Sequence, residues 1–181
     1  MTLIDFAEAA GSLENGEAAP AEEVANKLPE GIERAVLWLG IARARTEQSD
    51  VVKASEAINA ALATTRKLYE ARRPFLLLTA AGLLARFDPV LAQAILSEAI
   101  REFNSQKPEL PPRVDWQQEV SAGRLWRHFP LKVKGIEYSF EEALPPLLAA
   151  DYQGTAASVL ALKGEDQLAQ AMLALTAALL K

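Results

Sequence analysis

A chain of 181 residues is long enough to bury a core of its own, as one domain or as a short array of helical repeats. With no cysteine and a single histidine, His128, it excludes disulfides, thiol nucleophiles, zinc–cysteine and iron–sulfur ligation and any multi-histidine metal site. The net charge of −5 gives no general drive toward nucleic acid or an anionic membrane, and it is unevenly spread: residues 1–50 carry ten acids against four bases.

Thirty-four alanines and 27 leucines favour helix throughout. Residues 1–30 read as an acidic N-terminal segment, with 11–20 its most mobile part because Gly11, Ser12, Asn15, Gly16 and Pro20 cluster there. Ala35, Val36, Leu39 and Ala42 recur at helical spacing and predict a helix over Ile32–Arg45. Asp50 is placed to cap a second over Val51–Leu68. Pro74 suits the first turn of a third, Phe75–Arg86, and Asp88-Pro89 is a cap followed by proline, opening a fourth that runs to Phe103. Ser105, Pro108, Pro111 and Pro112 mark a loop. Asp115 with Gln118 predicts a capped helix running toward His128 and stopped by Pro130. Alternation on either side of Gly135, from Leu131 to Phe140, predicts a short two-stranded hairpin. Ser139 and Glu142 form a capping-box pattern, and Pro145-Pro146 is expected to confine that helix to one turn. Two more helices follow, Tyr152–Lys163 and Glu165–Leu180, separated at Gly164.

A shift of 38 residues sets Asp50 on Asp88, Ala54 on Ala92, Ile58 on Leu96 and Ala61 on Ala99. A shift of 77 sets Leu91–Leu96 on Leu168–Leu173 with five of six residues identical. The agreement of caps with small and large positions points to repeated helix pairs, whose small residues let backbones approach. The Ala-rich helix, the Asp-Pro cap and the Ala92-x-x-x-Leu96-x-x-Ala99 continuation resemble the αα-hairpin helical-repeat class. Within it they are most similar to helical-hairpin repeats of uncharacterised bacterial proteins, and more distantly to tetratricopeptide and HEAT repeats. The resemblance covers residues 31–104 and 152–180. It implies a scaffold or binding surface; the tetratricopeptide Trp, Gly and Tyr positions are not reproduced, so no peptide-binding residues carry over. The expected architecture is all-α: stacked antiparallel helix pairs (two repeats over 31–104, a third over 141–181), with a loop and short β-hairpin inserted near 105–140.

That insertion breaks the repeat and gathers bases with aromatics, so it is the expected place for a site. Trp116, Arg124, Trp126, Arg127, His128, Lys132 and Tyr138 are the candidate binding residues, suited to a phosphate or carboxylate by charge and stacking. The competing reading has the aromatics plugging the insertion into the core while the bases are solvated. No carboxylate or serine stands at motif distance from His128, and Leu125 occupies the position where a di-metal Glu-x-x-His would need its acid. Carboxylate pairs such as Glu141/Glu142 fall at helix starts, where they complement the dipole. No glycine-rich phosphate loop is present. No catalytic residue, metal or cofactor is expected. The sequence favours a non-enzymatic protein-interaction or scaffold module with a protein or peptide partner, rather than nucleic acid or membrane. Its alternative is a small anionic-ligand-binding or hydrolytic domain built on the insertion. The start Met-Thr-Leu-Ile-Asp lacks a basic, apolar leader, so a cytoplasmic location is expected, though an exported or excised chain would carry the same marks.

Overall fold

The computed structural model describes residues 3–69, 71–105, 117–122, 125–130, 133 and 136–180. They are predominantly helical: α1 (Leu3–Glu14), α2 (Ala18–Lys27), α3 (Ile32–Glu47), α4 (Val51–Thr65), α5 (Arg73–Leu84), α6 (Pro89–Ser105), α7 (Phe140–Ala150), α8 (Tyr152–Leu160) and α9 (Glu165–Leu179). Two strands, β1 (Gln117–Ala122) and β2 (Leu125–Pro130), pair antiparallel from Ala122 opposite Leu125 to Gln117 opposite Pro130.

Aspartates start α4, α6 and α8. The carboxylate of Asp50 accepts from Lys53 N–H at 3.2 Å, that of Asp88 from Leu91 N–H at 3.0 Å and that of Asp151 from Gly154 N–H at 3.0 Å. Each satisfies a donor that the first helical turn leaves without a partner.

The packing follows an alternating order. α3 lies along α4 and α5 along α6, while the odd helices form a continuous row in which α1 touches α3, α3 touches α5, α5 touches α7 and α7 touches α9. The row closes over one core that includes Leu37, Leu39 and Ile41 of α3, Leu76, Leu77 and Leu78 of α5, and Leu144 and Leu147 of α7. Phe103 of α6 fixes the joint: its ring meets Phe75 edge-on at 4.9 Å and Phe140 at 5.3 Å. Outside the core, Arg66 at the end of α4 grips Glu98 of α6 through two bonds of 3.0 and 2.7 Å, and Gln93 of α6 donates to the buried Thr155 hydroxyl of α8 at 2.7 Å.

Four sequence expectations change. The helix expected from Asp115 toward His128 is replaced by β1 and β2; the aromatic run Leu-Trp-Arg-His-Phe of β2 suits a pleated surface better than a helix. The ladder therefore lies earlier than the alternation at 131–140, where Val133 and Ile136–Tyr138 are irregular. Pro145 and Pro146 do not end α7, which runs eleven residues through both. Their missing N–H groups forfeit bonds to Glu141 and Glu142, and burial of Phe140, Ala143, Leu144, Leu147 and Leu148 on the opposite face offsets that loss. Finally, residues 11–14 continue α1 and 18–20 open α2, with Phe6, Ala9, Leu13, Ala21 and Ala25 buried while Glu8, Glu14 and Glu23 stay exposed.

The 77-residue shift also pairs helices that play different parts. It lays α6 on α9 and α5 on α8, pairing an even helix with an odd one each time. The 38-residue shift keeps α4 on α6, both even.

Candidate functional site

The expected site residues fall mostly outside the description. Trp116, Arg124 and Lys132 lie outside the described residues. Trp126, Arg127 and His128 are consecutive on β2, opposite Ser121, Val120 and Glu119, and their side chains are likewise outside it. Tyr138 is described, and it is a core residue at 2% exposure. Burial pushes its hydroxyl far above the ordinary phenol range, and the nearby Glu142 carboxylate adds to the shift. Its backbone has φ of 50°, a left-handed conformation that costs a bulky residue energy and that the surrounding packing must hold.

The structure assembles a different constellation, from helices far apart in sequence. A cleft of about 180 Å³ opens between α3, α5 and α7, lined by Arg43, Thr79, Gly82, Leu83, Arg86, Ile136, Glu142, Ala143 and Pro146. Its depth is set by the close crossing of α5 and α7: a methyl group on Gly82 would stand 2.9 Å from the Ala143 Cα. Glu142 holds one wall. Its carboxylate accepts from Arg43 Nη1 at 2.6 Å and from the Glu137 backbone N–H, while its own N–H donates to the capping Ser139 hydroxyl at 3.3 Å. Ser139 thus supplies half of the expected capping box, and the acid reaches past the cap to Glu137 instead. Arg43 Nε is also bound by Glu47 at 2.9 Å, so two carboxylates neutralise this guanidinium.

Arg86 differs. It is exposed at the rim, just past α5, and among the described residues it has no hydrogen bond or ion pair. An apolar floor of Leu83, Ile136, Ala143 and Pro146 therefore lies beside one uncommitted guanidinium. No spacing or motif pointed to this grouping, because Arg43 and Glu142 are 99 residues apart and meet through the α3–α5–α7 row.

A second cleft, about 240 Å³, lies between α2, α3 and α4 and is lined by Glu22, Asn26, Trp38, Lys53, Glu56 and Ala57. Glu22 is committed to Arg45, at 2.6 and 2.9 Å. Among the described residues the buried Trp38 indole N–H has no acceptor. Among the described residues no group of three or more His, Asp or Glu side chains could hold a metal, and no helix is long and apolar enough to cross a membrane. No family model matches the chain, and neither a curated protein nor a solved structure matches it significantly.

Proposed function

We propose that this chain is a non-enzymatic protein-interaction module. In this reading it is an array of helix pairs, interrupted by the hairpin insertion, that seats a peptide segment between α3, α5 and α7. The observation that carries the reading is Arg86, a guanidinium without an ion pair among the described residues at the edge of an apolar-floored cleft. A guanidinium fork matches a carboxylate in two-bond geometry, and a cleft of about 180 Å³ takes one side chain of moderate size. The ligand these features describe is an apolar residue next to an acidic group. The repeat reading is supported by Asp50 and Asp88, 38 residues apart, capping α4 and α6 in the same way. It is supported too by the odd-helix row, in which α3 packs on α5, α5 on α7 and α7 on α9.

Panning a displayed peptide library on the protein tests the proposal. The expected result is enrichment of an apolar residue beside Asp or Glu, with affinity weakened about tenfold or more by Arg86→Glu, since a hydrogen bond to a charged group is removed and repulsion added. Arg101→Glu, a charge reversal at another exposed arginine on α6, is expected to bind as the parent does. Enriched peptides that bind Arg86→Glu as tightly as the parent would overturn the assignment. The alternative, a small anion held by the basic insertion, predicts binding of free carboxylate or phosphate lost in Arg124→Ala, Arg127→Ala and untouched by Arg86→Glu.

A further inference from the structure

Pro146 leaves a backbone acceptor at the α3–α5–α7 cleft. In an α-helix each N–H donates to the carbonyl four residues back, and Pro146 has none to give the Glu142 carbonyl. That carbonyl points along α7 toward Pro146, and Glu142 and Pro146 both line the cleft, so it lies on the lining face between them. No loop N–H among the described residues takes it up instead. A carbonyl without its helical partner is a strong acceptor that water or a ligand must meet. Three groups therefore converge on one cavity: this carbonyl, the apolar floor of Leu83, Ile136, Ala143 and Pro146, and the Arg86 guanidinium. An apolar cavity of roughly 150 Å³ holds a benzene ring. At about 180 Å³ this one takes a single Leu, Met or Phe side chain.

We infer that the cleft binds the C-terminal residue of a peptide, with its apolar side chain on the floor, its amide N–H on the Glu142 carbonyl and its α-carboxylate on Arg86. This rests on the peptide-binding reading above and narrows it. A terminal residue carries a donor, an apolar group and a carboxylate on a single Cα, which is what a cavity of one-residue size requires. An apolar residue followed by Asp or Glu needs room for two, and serves as a stand-in where a peptide is fused at its C-terminus. A free amino acid would bring an ammonium group in place of the amide. Glu142 is the one acid among the described lining residues, and both its carboxylate oxygens are engaged, Oε1 by Arg43 Nη1 at 2.6 Å and Oε2 by the Glu137 N–H. An ammonium group there meets no uncommitted carboxylate, whereas a neutral amide needs only the carbonyl.

Fluorescence anisotropy with dye-labelled peptides Gly-Ser-Gly-Ser-X, where X is Leu, Met or Phe, tests it. The free acid is expected to bind, and the C-terminal amide about tenfold or more weakly, because Arg86 loses its charged partner. N-methylation of X, which removes its N–H, is expected to weaken binding as well. Each loss has a counterpart in the protein. Arg86→Gln is expected to bind acid and amide alike, and Pro146→Ala, which returns an N–H to the Glu142 carbonyl, to bind the N–H and N-methyl peptides alike. Pro146→Ala is expected to have a urea midpoint no lower than the parent's, so its weaker binding is not a folding defect. An amide or N-methyl peptide that binds the parent as tightly as the free acid overturns this inference and leaves the peptide reading standing. So does an amidated peptide with an internal X-Asp that binds more tightly. Free leucine that displaces the peptide at equal concentration assigns the site to an amino acid and overturns the inference too. Binding by none of these peptides removes both readings.

Discussion

Replacing Gly82 by alanine tests the close crossing of α5 and α7 that shapes the cleft. At an exposed interior helix position this change is stabilising by about 0.5–1 kcal/mol, because alanine loses less backbone entropy on folding. At Gly82 the added methyl stands 2.9 Å from the Ala143 Cα and 3.2 Å from its Cβ and carbonyl oxygen, backbone that cannot turn aside as a flexible side chain does. Overpacking a tight contact costs about 1–3 kcal/mol, so the net expectation is a loss of about 0.5–2 kcal/mol, or roughly 1–8 °C in a domain of this size. Gly40→Ala offers a second case: its methyl would meet the Leu13 Cδ1 at 2.8 Å, the end of a side chain that can shift, but also the Val133 Cγ1 and Cγ2 at 2.8 and 3.0 Å, which rotation about χ1 does not clear, so it too is expected to destabilise. Gly11→Ala has nothing within 4 Å and is expected to stabilise. Urea melts of the three variants, read at constant m-value, give the order directly. A Gly82→Ala protein more stable than the parent would refute the claim that α7 lies against α5 at that point.

Removing the caps by Asp50→Ala or Asp88→Ala is expected to cost about 1 kcal/mol each, and the double variant roughly the sum, by chemical denaturation. Glu98 is held below the ordinary carboxylate range, first by its hydrogen bonds with Arg66, opposed next by burial, and further by the charges of Arg66, Arg73 and Arg101. A depressed folded-state pKa adds stability above the unfolded value and loses it as pH falls through the folded one. The stability gap between the parent and Glu98→Gln is therefore expected to be full at neutral pH and to close in acid below about pH 4, and a gap independent of pH would contradict the pairing. Of the three tyrosines, Tyr69 and Tyr152 are exposed while Tyr138 is buried with its pKa raised. Ultraviolet titration is expected to show Tyr138 ionising only as the protein unfolds in alkali, because a raised folded pKa contributes stability that is lost as pH rises.

Local chemistry determined much of the helical part of this protein from sequence alone. The starts of α4 and α6 were legible because Asp50 and Asp88 satisfy backbone donors by their own side chains, whatever the rest of the chain does. The stripes of α3 and α4 were legible because large apolar residues recur on one face. α2 was obscured by a buried face of Ala18, Ala21 and Ala25, which carries little periodic contrast, and α1 by the turn-forming residues at its end. The persistence of α7 through Pro145-Pro146 depended on burial against α5 and α9, a gain that propensity does not count. Tyr138 stood among the candidate binding residues of a basic stretch, and its position at the entry to α7 places it in the core. The α3–α5–α7 cleft was the least legible feature of all. Arg43, Arg86 and Glu142 belong to different segments with no common spacing, and they converge because the odd helices lie side by side in one row. Caps and stripes are decided within a few residues of chain, whereas a site built across that row exists only once the row has packed.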